Sequence, residues 1–182
     1  MTAYEPASKD EWLVIIDPQA IFASPKASAW GTDEWAKAQP HVVALAEAFG
    51  PSRTVVTRFV ADPGLGGSWA SYYDEWEFAL VPDDDPLYAV VPALRDAADH
   101  VVTEATFGKW TPALCAVIGH QPSFALAGVS TDCCVIATAL PAADAGATVR
   151  VIADACAGST PENGERALAA MELFAPQIQV VR

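Results

Sequence analysis

Short runs of branched apolar residues alternate with longer stretches of helical periodicity along the whole chain. Runs such as Val14-Ile15-Ile16 and Phe124-Ala125-Leu126-Ala127 are apolar throughout rather than alternating with polar residues. Such runs suit strands covered on both faces, as in a parallel sheet with crossover helices. Strands are predicted at 12–16, 54–59, 100–103, 124–127, 148–152 and 178–181, with helices at 33–49, 86–98, 112–119, 132–145 and 161–174. Thr111-Pro112 and Thr160-Pro161 make sound helix starts, a proline in the first turn losing no hydrogen bond. Gly50, Gly119 and Gly146 stand where helices should stop. The expectation is one domain, residues 1–182, with a three-layer Rossmann-like α/β fold. Its six-stranded, mostly parallel sheet would carry helices on both faces.

One long stretch, 61–85, follows neither period. Its Trp69, Tyr72, Tyr73, Trp76 and Phe78 are too aromatic for a disordered linker, and it reads as a lid or a partner surface. Gly64-Leu65-Gly66-Gly67 lacks the Gly-Lys-Ser/Thr ending of a phosphate loop and reads as a flexible turn. Asp83-Asp84-Asp85 ahead of Pro86 reads as capping of a helix start.

Composition narrows the partners. Of 182 residues 52% are hydrophobic, enough for one well-packed core, and the formal charge of −13 opposes binding to nucleic acid or to anionic lipid. The polar start, residues 1–11, has no apolar segment, and no later stretch is long enough to span a bilayer. A cytoplasmic, reduced setting is expected, in which Cys115 and Cys156 are small buried hydrophobes. The four cysteines and three histidines show no metal-ligand spacing.

In an open parallel sheet, ligands bind beyond the carboxyl ends of the strands. That rule brings together Asp17 after the first strand, Arg58 at the end of the second, 104–109 after the third, 130–134 after the fourth and Asp154 after the fifth. Cys134 falls where strand turns to helix. There, outward-pointing N–H groups and the helix dipole bias a thiol toward thiolate and offer donors to an oxyanion. Asp17, ending a buried strand, is the candidate base; Lys109 is the one lysine at the end of a predicted strand and would stabilise developing charge. Candidate substrate-binding side chains are Phe22, Arg58, Trp76 and Trp110. The aromatic residues suit a pocket wall and an oligomer interface equally well.

Three segments carry a family resemblance: Ile15-Ile16-Asp17-Pro18-Gln19-Ala20-Ile21-Phe22, Gly128-Val129-Ser130-Thr131-Asp132-Cys133-Cys134-Val135, and Asp154-Ala155-Cys156-Ala157. The chain resembles the isochorismatase-like cysteine hydrolases, a group that includes nicotinamidases and N-carbamoylsarcosine amidase. The resemblance implies Asp17 as base, Cys134 as nucleophile, and a cis peptide at Val129-Ser130 aiming the Ser130 and Cys134 amides at the oxyanion. It further implies a small-molecule substrate with an amide, carbamoyl or isochorismate-like bond, no cofactor, and a homo-oligomer, dimer or tetramer. Two positions depart from the family pattern. Glu104 stands where the family's Lys is usual, with Lys109 further along the loop, and 59–64 lacks the histidines of a nicotinamidase metal site, so no metal is expected. Glu104 motivates the alternative of a catalytically silent binding module. A third reading makes Cys133-Cys134 an oxidant sensor.

Overall fold

Six strands lie in the order β3-β2-β1-β4-β5-β6, and every neighbouring pair is parallel. They are β1 (Trp12–Ile16), β2 (Thr54–Phe59), β3 (His100–Glu104), β4 (Ser123–Val129), β5 (Thr148–Ala157) and β6 (Ile178–Val181). The computed structural model describes residues 4–182, so the first three residues of the polar amino-terminal stretch lie outside the described residues.

Helices cover both faces, as the unbroken apolar strands require. Leu13 and Ile15 point into one core with Val56, Ala125 and Ala127, roofed by α1 (Ala20–Ala23), α2 (Trp35–Phe49) and α3 (Ser68–Glu75). Val14 and Ile16 point the other way, into a core with Val55, Leu126 and Val149. This second core is closed by α4 (Pro112–Ile118), α5 (Ile136–Asp144) and α6 (Pro161–Glu172). All four of these β1 side chains are fully buried, each worth about 1.5–3 kcal/mol of apolar burial. Among the described residues no helix is long and apolar enough to cross a membrane.

Three elements differ from the sequence reading. The helix expected over 86–98 is absent; two short 3₁₀ turns, Pro86–Tyr88 and Pro92–Leu94, take its place. Pro92 supplies no N–H and holds Val91 extended, which breaks the helical run. The freed backbone straps the loop after β1 instead: Val91 N–H donates to Pro18 O (2.8 Å) and Ala20 N–H to Ala89 O (2.9 Å). Residues 61–85 carry more order than expected, holding α3 and a 3₁₀ turn at Glu77–Ala79. Finally, β5 continues to Ala157 through a register shift against β4, which puts Asp154 within the strand, exposed, rather than beyond it.

Candidate active site

The strand order reverses its direction of growth between β1 and β4, and a crevice opens at such a point because the two following connections leave on opposite faces. The segments that leave there are the Asp17 loop and the Ser130–Cys134 turn. Gly128 makes their approach feasible: with φ +123 it is in glycine territory, and a Cβ on it would sit 2.2 Å from Ile16 O.

Asp17 is fully buried and adopts φ +45, a left-handed conformation rare outside glycine that Asp tolerates better than most residues. Thr57 on β2 holds it at two points. The Thr57 hydroxyl accepts from Asp17 N–H (3.0 Å) and donates to Asp17 Oδ1 (2.6 Å). Gln19 anchors the same loop, its Nε2 donating to Phe59 O and Tyr88 O (both 2.9 Å) and its Oε1 accepting from Phe59 N–H (2.7 Å).

Lys109 reaches this carboxylate. Its Nζ lies 3.1 Å from Asp17 Oδ2, with both side chains fully buried, and it also donates to Thr106 O (2.5 Å). Two contacts bring the loop into place. Gly108 lies so close to α5 that a Cβ would meet Ala137 O at 2.7 Å, and Lys109 N–H donates to Thr138 Oγ1 (2.9 Å), which in turn donates to Cys134 O (2.7 Å). Glu104, at the position where the family pattern has lysine, accepts from Thr111 Oγ1 (2.6 Å).

Cys134 is buried within a π-type turn, Thr131–Val135, that precedes α5. Its geometry comes from Ser130, whose carbonyl accepts from both Cys133 and Val135 N–H (3.1 Å each), and the Val129-Ser130 peptide is cis. Cys134 lies near enough to Asp17 for the carboxylate's charge to act on the thiol. Burial, and then the negative charge of Asp17, push the Cys134 thiol well above its ordinary range, opposed in part by Lys109. This corrects the expectation of a resting thiolate, because desolvation outweighs the favourable dipole. Burial thus favours the neutral form of the Cys134 thiol.

A cavity of about 170 Å³ opens onto Cys134. Its walls are Phe22, Trp30, Phe59, Tyr72 and Phe107, with Ser130, Cys133 and Ser159 as the polar contributions. Burial, reinforced by Cys133 and Cys134, raises the Tyr72 phenol and keeps it a neutral hydroxyl. Of the four substrate-binding candidates, Phe22 lines this cavity and the other three do not. Arg58 is drawn to Asp83 (Nη2 to Oδ1, 2.5 Å). Trp76 stands behind Trp30 at 6.0 Å between ring centroids, and Trp110 stacks on Phe124 at 6.1 Å in the opposite core. A larger, open cleft of about 400 Å³ between α2, β5 and α6 contains neither Asp17, Lys109 nor Cys134.

Thr57, Gln19 and Thr138 were not visible as site residues, since threonine in a strand or helix carries no chemical signature. Of the aromatic residues in 61–85 only Tyr72 lines the cavity, and Trp30, from the segment before α2, joins it there.

A model of the isochorismatase domain matches residues 11–181. The chain belongs to the isochorismatase family. Members of this family are hydrolases that act on small molecules. Among solved structures the chain is similar to a cysteine hydrolase from Pseudomonas syringae pv. phaseolicola 1448A (TM-score 0.77, 18% identity, 96% of this chain and 90% of that one). It is likewise similar to an isochorismatase family protein from Desulfovibrio vulgaris subsp. vulgaris str. Hildenborough (TM-score 0.77, 20% identity, covering 96% and 94%). A third, the pyrazinamidase of Pyrococcus horikoshii in complex with zinc, aligns with TM-score 0.72 and 24% identity over 95% and 99%. No curated protein matches the chain. The donor set here does not fit a metal: among the described residues no group of three or more His, Cys, Asp or Glu could hold an ion. After β2, Asp62 turns its Oδ1 onto Gly64 N–H (2.8 Å).

Proposed function

We propose that this isochorismatase-family protein is a cysteine hydrolase cleaving the C–N bond of a small, uncharged amide or carbamoyl compound, with Cys134 as nucleophile, Asp17 as base and Lys109 as the charge partner. The buried ion pair of Lys109 and Asp17 beside the Cys134 thiol carries this reading. Desolvating two charges is costly and seldom repaid in stability, so such a pair is better explained by chemistry. Its reach also removes the motive for a silent binding module, since Glu104 is engaged with Thr111.

The thiol would pass its proton to Asp17 Oδ2 as the sulfur attacks the substrate carbonyl carbon. The oxygen then takes up negative charge against the backbone N–H groups of the turn that follows the Val129-Ser130 peptide. Asp17 would return the proton to the departing nitrogen, leaving a thioester on Cys134. Water, deprotonated by Asp17, would then release the acid and restore the thiol. The Lys109 side chain, 3.1 Å from Asp17 Oδ2, would favour the carboxylate each time the proton is returned.

Substrate size and charge follow from the cavity. About 170 Å³ admits only a small molecule, five aromatic rings favour a flat or apolar one, and no arginine or lysine lines the wall to receive a carboxylate. An isochorismate-like dianion is disfavoured on that ground. The test is a panel of small amides and carbamoyl compounds incubated with the protein, read by intact mass for an acyl adduct and by release of ammonia or amine. Turnover that vanishes in Cys134→Ala, with the adduct mapped to that residue, is the expected result; turnover retained in the variant would overturn the assignment.

A further inference from the structure

We infer that Thr57 is a positioning residue for the base: its hydroxyl decides which carboxylate oxygen of Asp17 receives the thiol proton. The inference rests on Asp17 acting as base toward Cys134.

A threonine hydroxyl has one hydrogen to give. Here one of its two lone pairs accepts from Asp17 N–H (3.0 Å), and its hydrogen goes to the same residue's Oδ1 (2.6 Å), a carboxylate oxygen that can only accept. Thr57 is fully buried, so both bonds lie away from bulk solvent. Oδ1 is therefore occupied by a donor that cannot swing away. Oδ2 forms the ion pair with Lys109 Nζ at 3.1 Å and, among the described residues, accepts no hydrogen bond. The titratable or charged groups facing the carboxylate are Lys109, from the loop after β3, and Cys134, from the turn after β4. The Cys134 S–H bond breaks as an O–H bond forms at Oδ2, and the electron pair left on sulfur makes the new bond. Without the Thr57 hydroxyl the carboxylate can rotate, and Lys109 can engage either oxygen.

The test needs no knowledge of the substrate. Iodoacetamide is neutral and small; the Cys134 sulfur attacks its methylene carbon, iodide leaves, and the thiol proton goes to the base. The rate of carbamidomethylation at Cys134, located by fragment-ion mass, is compared at one pH for wild type, Thr57→Val, Thr57→Ser and Asp17→Asn, with labelling of the exposed Cys133 as an internal control. Thr57→Val keeps the shape and removes the hydroxyl. It should slow Cys134 labelling by at least about tenfold, the scale of one lost hydrogen bond to a charged group, while Thr57→Ser stays within about twofold of wild type. Thr57→Ala against Thr57→Ser carries the same comparison if the valine variant does not fold. If Asp17→Asn slows labelling and Thr57→Val does not, the role of Thr57 is refuted and the base survives. If Asp17→Asn leaves labelling unchanged, the base assignment fails and the inference falls with it.

Discussion

Each charged or reactive residue at this site is held by a partner that compensates for its burial. Asp17 and Lys109 are both fully buried and 3.1 Å apart, so removing one strands the other. Lys109→Met should cost about 3–5 kcal/mol, because it leaves an uncompensated buried carboxylate. Adding Asp17→Asn should recover most of that loss while catalysis stays absent. Urea unfolding of the two single variants and the double variant reads this directly; equal losses in Lys109→Met and the double variant would mean that the charges do not compensate each other. The thiol follows a related logic. Burial raises Cys134 well above the ordinary cysteine value of 9.0, so the difference in thiolate absorbance between wild type and Cys134→Ala should show no ionisation step below pH 9. A step well under that pH would mean that the cationic side of the site, not desolvation, governs the sulfur.

Secondary-structure elements turn these residues into a site by close approach, and the approach depends on what is absent from a side chain. Gly108 lets the Lys109 loop settle on α5, where a Cβ would meet Ala137 O at 2.7 Å. Gly108→Ala should therefore lift the loop, weaken the link from Lys109 N–H through Thr138 to Cys134 O, and cost about 1–3 kcal/mol. Thermal unfolding checks the cost, and a slower rate of Cys134 labelling checks the displacement; an unchanged midpoint would show that the loop has room to spare. The strands were legible because a strand buried on both faces must be apolar along its whole length. Asp17 and Cys134 were legible because each punctuates the end of such a run. The helix expected over 86–98 does not form, because Pro92 lacks the N–H that a continuing helix needs. Arg58, Trp76 and Trp110 could not be sorted from Phe22 by sequence, since the direction each takes depends on distant partners: Asp83, Trp30 and Phe124. Lys109 in place of a lysine at 104 became intelligible only through Gly108 and Thr138, which set the path of the loop.

For the molecule as a whole, two cores back to back on a parallel sheet limit solvent near Cys115, Cys134 and Cys156, while Cys133 is exposed, and this makes stability sensitive to alkali. Desolvation pushes all four cysteines up, Cys156 to about 12 against the opposing effect of a backbone hydrogen bond at Gly128. In the unfolded chain these thiols ionise near their ordinary value, whereas the folded chain holds them protonated. A group whose folded value is the higher one contributes its full stabilisation below the unfolded value and loses it as pH climbs toward the folded value. For Cys156 that window runs from about 9 to about 12. Within it one such group lowers folding stability by up to about 1.4 kcal/mol per pH unit. Tyrosines and lysines titrate in the same range, so the slope of the wild type alone assigns nothing. The informative quantity is the difference between wild type and Cys156→Ala in denaturant unfolding from pH 8 to pH 11. Below pH 9 the two curves should run parallel, offset by the cost of the deleted sulfur. Above it the wild type should fall more steeply, by up to one group's slope, so that the offset shrinks with pH. An offset that stays constant to pH 11 would show that Cys156 ionises as freely in the folded protein as in the unfolded chain, and that water reaches the β4–β5 register shift.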